Sequence, residues 1–216
     1  VSESPDQHVH LSKTPGFNIG AAAQPAGCTN SLHSHRTAEV FIIHSGKWRF
    51  FWGLYGDKGE VVLDPGDVIS LPTHMFRGFE NITELNESNP NGYGFMFAVL
   101  GGNDSGGGVL WAPQVIEAAQ AHGLVLLENG LLIDTHSGES IPDGIAPRKP
   151  LEGADLEAFD QNNIEDPSRV LARKSESSSL VLGTSDKATI REMPGFEIFR
   201  TSGLETIELG DSSPAV

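Results

Sequence analysis

The pattern of hydrophobic and polar positions between residues 17 and 100 is that of short β-strands separated by turns. Segments rich in β-branched and aromatic residues alternate with clusters of Gly, Pro, Asp and Asn. The strand-like segments lie at 39–43, 48–52, 61–63, 68–71 and 94–100, and the turn signals at 45–46, 56–57, 64–66 and 89–92. Several short strands at regular spacing predict an all-β sandwich or barrel.

A different pattern follows this predicted barrel. Residues 101–108 form a Gly-rich link. Residues 113–122 predict a helix, because Pro113 suits its first turn and Gly123 suits its C-terminal cap. The Asn129-Gly130 dipeptide between two short apolar runs predicts a hairpin.

These patterns divide the chain into four parts. They are a barrel at 1–105, an appended helix and hairpin at 106–140, a polar linker or arm with one short helix at 141–180, and a last part at 181–216. Residues 194–198 repeat four of the five positions of 15–19, so the last part is interpreted as the possible start of a second unit. This last part does not repeat the histidines of the first unit, so the second unit is degenerate or cut off.

Composition and charge exclude several classes of partner. The formal net charge is −15, and the 14 Lys and Arg residues are spread along the chain. Binding to nucleic acid or to an anionic membrane requires clustered basic residues, so neither is expected. Cys28 is the one cysteine, which excludes an intrachain disulfide and favours a reducing, cytoplasmic compartment. No apolar run approaches the length of a membrane span.

Candidate chemistry is concentrated in residues 33–39. Residues i, i+2 and i+4 of a strand face the same side, and His33, His35 and Glu39 share that parity. Two imidazoles and one carboxylate form a facial set of ligands that suits Fe(II), Mn, Ni or Zn. His44 has the opposite parity to Glu39 and is expected to face outward.

The segment 27–46 resembles the first motif of the cupin superfamily. That motif runs Gly, five residues, His-x-His, three residues, Glu, six residues, Gly, and every fixed position is matched by Gly27, His33, His35, Glu39 and Gly46.

The second cupin motif is matched only in part. Gly66, Pro72 and Asn81 fit it, whereas His74 replaces its second Gly and Arg77 replaces the histidine that is the family's fourth ligand. The resemblance covers roughly residues 15–100.

The resemblance implies a jelly-roll barrel, also called a double-stranded β-helix, with one divalent transition metal per barrel. It also implies a homodimer. The substrate expected from Arg77 and from the aromatic residues of the barrel is a small organic anion, carboxylated and possibly aromatic. Oxygenase chemistry with Fe(II) is favoured. An isomerase or lyase using Zn or Mn, and a non-catalytic small-molecule-binding cupin, remain open, because a fold alone does not set a reaction.

Arg77 allows two interpretations, since a guanidinium stays protonated and does not ligate a metal as imidazole does. In the first, Arg77 orients an anionic group of the substrate beside the metal. In the second, Arg77 takes the place of the metal, pairs with Glu39, and the site is inactive. His74 is a further catalytic candidate. Its alternatives are a replacement fourth ligand and, more favoured, a histidine at the rim.

Parity also predicts a lining for the barrel. Trp48, Phe50 and Trp52 share one face, and Met75 and Phe79 share the parity of Arg77. These five side chains are candidates for an apolar substrate pocket, with ordinary core packing as the alternative.

Overall fold

The structure, a computed structural model, describes residues 16–102 and 109–176 and two short strands further along the chain. Its central feature is a set of eight strands. They are β1 (Phe17–Gln24), β2 (Thr29–Ser34), β3 (Glu39–Ser45), β4 (Trp48–Trp52), β5 (Gly59–Leu63), β6 (Val68–Leu71), β7 (Arg77–Asn81) and β8 (Gly94–Gly101).

The eight strands form two antiparallel sheets, with the orders β1-β8-β3-β6 and β5-β4-β7-β2. Successive strands alternate between the sheets in the manner of a jelly roll, except that β4 and β5 form a hairpin within the second sheet. Each sheet gains a fifth strand of two residues. β9 (Leu110–Trp111) pairs with β2, and β12 (Leu171–Ala172) pairs with β6. The predicted all-β, jelly-roll barrel is confirmed.

Strand β4 shows how the alternation of side chains places the core. Trp48, Phe50 and Trp52 point into the barrel and are buried. Arg49, between them, faces outward, and its Nη2 lies 2.7 Å from Oε2 of Glu80, its cross-strand neighbour on β7. The inward side chains of both sheets join one apolar core, whose other members include Phe41, Ile43, Leu63, Ile69, Leu71 and Met96.

The outward side of the first sheet carries no charged residue on β1, β8 or β3. Ile19, Val99 and Val40 form one cross-strand row on this side, and Ala21, Phe97 and Ile42 form the next. We call these six residues, with Phe17 at the end of β1, the apolar outer face. Phe17 is 45% exposed and Ile19 is 64% exposed.

The predicted helix and hairpin follow the barrel. Helix α1 (Pro113–Ala121) begins at a proline, and Gly123 lies just beyond its end with a φ of +81°, which suits glycine. Strands β10 (Leu124–Leu126) and β11 (Leu132–Asp134) form the hairpin. A 3-10 helix, Thr135–Ser137, follows it.

The segment 141–176 contacts other described parts of the chain. Residues 146–148 bond to the segment that carries β10, and residues from Leu151 onward pack against the barrel. In the described part of the chain this segment is therefore an arm and not a free linker. It contains one short helix, α2 (Gly153–Glu157), as predicted, and the 3-10 helices Pro167–Arg169 and Lys174–Glu176. Phe159 is buried, and Ile164 and Leu171 belong to the barrel core. The domain that includes the barrel therefore extends beyond residue 105.

Two short strands are described in the last part of the chain. β13 (Lys187–Ala188) pairs antiparallel with β14 (Ile207–Glu208). The repeated residues 194–198 lie outside the described residues, as do 103–108 of the Gly-rich link, and the second unit stays a prediction. None of the helices that the structure describes is long and apolar enough to span a membrane.

Candidate metal centre

The structure brings His33, His35 and Glu39 together at one end of the barrel. His33 is near the end of β2, His35 lies just beyond it, and Glu39 is the first residue of β3 in the opposite sheet. One ligand atom from each side chain lies within 4.8 Å of the other two. The three residues are only 2%, 1% and 3% exposed. His44 faces outward, as its parity predicted.

Each imidazole leaves one ring nitrogen available to a cation. Nδ1 of His33 lies 2.7 Å from the carbonyl oxygen of Ser31, and because a carbonyl only accepts, Nδ1–H is the donor. The lone pair of His33 is therefore on Nε2. Nε2 of His35 is buried without a hydrogen-bond partner. A buried ring nitrogen without a hydrogen-bond partner is what a bound metal would satisfy.

Burial and a neighbouring cation keep both histidines neutral. Desolvation, and then the charge of Arg77, lowers the pKa of His33 to about 3 and that of His35 to about 2. Nε2 of His35 lies 3.5 Å from Oε2 of Glu39, which is within ion-pair distance. With so low a pKa, His35 is uncharged at neutral pH, and this contact is not an ion pair.

Arg77 points into the same site. It is the first residue of β7, lies opposite His33 on β2, and is fully buried. Its Nη2 donates to Oε2 of Glu39 at 3.1 Å, and its Nη1 donates to the carbonyl of Met75 at 3.0 Å. Nε has no hydrogen-bond partner in the part of the chain that the structure describes. Glu39 is thus the anionic partner that a buried guanidinium requires.

The opposite charges of Glu39 and Arg77 counteract the effect of burial on the pKa of each group. Burial raises the pKa of Glu39, and the charge and hydrogen bond of Arg77 oppose that rise. Burial likewise lowers the pKa of Arg77, and Glu39 opposes that change. The opposing charges favour an ionised Glu39, because each group replaces part of the hydration that the other has lost.

The donor set fits a divalent metal. It consists of two neutral imidazoles and one carboxylate, with no fourth protein ligand in the described cluster. A carboxylate has two oxygens and several lone pairs, so Glu39 can bind a metal while it accepts the hydrogen bond from Arg77. The positive charge of Arg77 weakens the attraction of the site for a cation.

His74 lies beside this cluster and not in it. It is half-buried in the loop between β6 and β7, and its backbone has a φ of +53°, in the left-handed region. Its backbone N–H donates to the carbonyl of His35 at 2.8 Å. Its ring lies 5.8 Å from the ring of Phe159. Among the described residues, the group of possible metal ligands excludes His74.

The five predicted pocket residues lie in the barrel core. Trp48, Phe50, Trp52, Met75 and Phe79 are at most 4% exposed. Phe79 lies between its neighbours, with ring centroids 5.6 Å from Phe50 and 5.9 Å from Trp48. The packing corresponds to the core alternative, and contact of these residues with a substrate stays a prediction.

The sequence patterns did not identify a segment that lies beside this end of the barrel. Residues 159–162 hydrogen-bond to Ser34, which lies between the two histidine ligands, and to the carbonyls of Thr73 and His74. The signal for them was weak. Phe159 and Ile164 are isolated apolar residues in a polar stretch and show neither strand nor helix periodicity.

Comparison with known proteins gives similarity to solved structures only. No protein-family model matches the chain, and no curated protein matches it. An RmlC-like cupin from Shewanella frigidimarina is 18% identical, with 40% of this chain and 67% of that chain covered and a TM-score of 0.33.

Two enzymes are also similar in structure. The DMSP lyase DddQ from Ruegeria pomeroyi is 19% identical, with 45% of this chain and 44% of that chain covered and a TM-score of 0.36. A recombinant oxalate oxidase in complex with glycolate is 17% identical, with 49% of this chain and 51% of that chain covered and a TM-score of 0.39. The match therefore spans about half the length of each enzyme.

These TM-scores are below 0.5, so the assignment of the fold rests on the strands and the motif residues of this chain. The pairing of the eight strands shows that residues 16–102 form a jelly-roll barrel. The complete first motif and the convergence of His33, His35 and Glu39 make this barrel resemble those of the cupins.

Proposed function

We propose that this protein is a metal-dependent cupin enzyme that acts on a small organic anion, with oxygenase chemistry at Fe(II) as the favoured reaction. The observation that supports it is the buried cluster of His33, His35 and Glu39, whose ligand atoms lie within 4.8 Å of one another. A facial set of three ligands leaves positions open on a metal, as non-haem Fe(II) oxygenases require. When bound, the metal would supply Lewis-acid or redox chemistry.

The charge of the site supports an anionic substrate. Two neutral histidines, an ionised Glu39 and a protonated Arg77 sum to zero. A divalent cation would give this buried site two positive charges. Because uncompensated buried charge is costly, the loaded site would favour a carboxylate or another anionic group. Arg77 adds to this preference, and its Nε–H has no acceptor among the described residues.

The test is elemental analysis of the purified protein, with two histidine variants treated alike. His33→Ala removes a proposed ligand, and His44→Ala removes an outward-facing histidine from the neighbouring strand. We expect about one transition metal per chain in the wild type and in His44→Ala, and little in His33→Ala. If Fe(II), Mn, Ni and Zn all fail to bind the wild type after reconstitution, the proposal is wrong. Bound iron would lead to assays of O₂ consumption, and bound zinc or manganese to isomerase and lyase assays.

A second candidate function is a non-catalytic pocket that binds a small anion. The ion pair of Arg77 and Glu39, at 3.1 Å, favours it, because Arg77 already neutralises the one carboxylate of the cluster. Protein that binds a carboxylate after treatment with a chelator, and that takes up no metal, would support this candidate. Carboxylate binding that depends on added metal would contradict it.

We also propose that the protein forms a homodimer. The apolar outer face supports this, since two chains of net charge −15 can approach there without bringing charged side chains together.

A reducing, cytoplasmic location is also proposed. The chain's single cysteine, Cys28, is half-buried and unpaired, which is usual for proteins of that compartment.

A further inference from the structure

Two cross-strand rows of inward-facing side chains carry candidate ligands, and one of these rows ends in an aromatic residue. In the second sheet the row consists of neighbours on β4, β7, β2 and β9, namely Trp52, Arg77, His33 and Trp111. Directly opposite residues of paired strands face the same side of a sheet, so Trp111 faces the site together with His33. Their ring centroids are 5.4 Å apart. Trp111 therefore packs directly beside a candidate ligand.

Each row is buried at the ligand and partly open at its β9 or β8 end. In the second sheet His33 is 2% exposed, whereas Trp111 is only half-buried. In the first sheet the corresponding row consists of Leu71, Glu39 and Leu100, and Leu100 is its half-buried end. Among the described residues, burial thus decreases from the ligands toward β9 and β8, which marks the side from which a substrate approaches.

The row in the second sheet changes from charged to apolar toward its open end. Nε–H of Arg77 has no acceptor among the described residues, so it can donate to an anionic group. His33 follows as a proposed metal ligand, and Trp111 lies beyond it. Neighbouring strands are about 4.8 Å apart, so the strands of Arg77 and Trp111 are separated by about 10 Å. Because an indole ring packs well against a flat apolar group, the row matches a ligand with an anionic group at one end and a ring at the other.

We propose that Trp111 is a specificity-determining residue that contacts the ring of an aromatic monocarboxylate, while the carboxylate lies at Arg77 and the metal centre. The inference rests on the proposed function for the anionic group, and it names the substrate class of the same site. Leu100, at the half-buried end of the row of Glu39, adds apolar surface on the opposite sheet. Trp48 is fully buried in the barrel core. Trp111, by contrast, can be contacted without displacing the core.

The test uses the intrinsic fluorescence of the full chain and its quenching by acrylamide. Trp111 is one of three tryptophans, and the other two, Trp48 and Trp52, are 0% and 2% exposed. Quenching therefore reports on Trp111, and quenching retained in Trp111→Phe would contradict the exposure on which the proposal rests. Zn(II)-loaded and metal-free protein are each titrated with benzoate, which carries an aromatic ring, and with acetate, which does not. Calorimetry gives the Kd of each carboxylate.

In the wild type we expect benzoate to bind roughly 3- to 30-fold more tightly than acetate, because its ring buries apolar area against Trp111. Saturating benzoate should lower the quenching by acrylamide, and saturating acetate should leave it unchanged. In Trp111→Ala the preference for benzoate should fall below about twofold. The control Tyr93→Ala removes an exposed aromatic side chain from the turn between β7 and β8, at the other end of the barrel, and should match the wild type.

An equal preference for benzoate in Trp111→Ala and the wild type would overturn the proposal, as would benzoate binding that leaves the quenching of Trp111 unchanged. If elemental analysis finds no zinc after reconstitution, the metal-dependent function is wrong, and the comparison is made on the metal-free protein. There Arg77 alone supplies the contact to the anion, and the same preference is expected. Failure of both carboxylates to bind either form would overturn the proposal. If Trp111→Ala is unfolded, the quenching of the wild type with each carboxylate decides the result.

Discussion

Replacing Arg77 by Gln removes a positive charge from the wall of the candidate metal centre and keeps a polar side chain there. Arg77 is fully buried, and its Nη2 lies 3.1 Å from Oε2 of Glu39, the proposed anionic ligand. We expect the variant to bind a divalent metal more tightly than the wild type, because the repulsion between the guanidinium and the cation is lost.

The distances in the site give the size of this effect. A metal bound to Glu39 at about 2.1 Å from oxygen would lie about 5 Å from the guanidinium. At that separation, and with an effective dielectric constant of about 20, a charge of +2 and a charge of +1 repel by about 7 kcal/mol. A quarter of that energy, about 1.7 kcal/mol, already tightens the Kd more than tenfold.

The assay is competition for Zn(II) or Mn(II) against a chelating dye, with Arg77→Lys as the matched control. Lysine keeps the charge, so its Kd should remain near that of the wild type. Arg77→Gln leaves Glu39 buried without its partner and is expected to lower the stability of the metal-free protein by about 3–5 kcal/mol. Urea unfolding of each protein is therefore measured first. An unchanged or weaker Kd in folded Arg77→Gln would refute the reasoning.

Three further predictions concern stability and assembly. The pKa values of His33 and His35 are about 3 and 2 in the folded protein, so below pH 6.5 these side chains take up protons mainly in the unfolded protein. The free energy of unfolding of the metal-free protein should therefore fall, by about 2 kcal/mol per histidine at pH 5. The raised pKa of Glu39 acts in the opposite direction. Urea unfolding at pH 7.5 and pH 5 measures this, and an equal loss in His35→Gln would contradict it. Ile164→Ala should reduce the free energy of unfolding by about 2–5 kcal/mol, since Ile164 packs in the barrel core, and a change below about 1 kcal/mol in urea unfolding would be inconsistent with that packing. Ile19→Lys should convert the proposed homodimer to monomer in sedimentation velocity without loss of the fold, whereas the same mass for variant and wild type would place the interface elsewhere.

The sequence predicts the barrel well because its determinants are local. In β4, alternation alone identifies Trp48, Phe50 and Trp52 as inward-facing, and the burial of all three agrees. Parity likewise places His33 and His35 on one side, whereas Glu39 begins a strand of the other sheet, so its convergence with them depends on the fold of the barrel.

Other features depend on contacts between distant parts of the chain, which local patterns do not contain. The hydrogen bond of Arg77 to Glu39 joins residues on different sheets, and the sequence left two interpretations of Arg77 open. The burial of Phe159 and Ile164 has no periodic pattern because each is covered by a different part of the barrel. Parity also does not distinguish a side chain that packs in a core from one that lines a pocket.

The two-residue strand β12 has a consequence for synthesis on the ribosome. It completes the first sheet beside β6, and Ile164 and Leu171 complete the core, although β6 itself ends a hundred residues earlier, at Leu71. The nascent barrel therefore emerges with part of its interior uncovered and one sheet edge unpaired, and it acquires its last core residues only when residue 172 has left the exit tunnel. Exposed apolar surface and unpaired edges favour aggregation. During that interval we expect the emerging chain to be more prone to aggregation than the complete barrel.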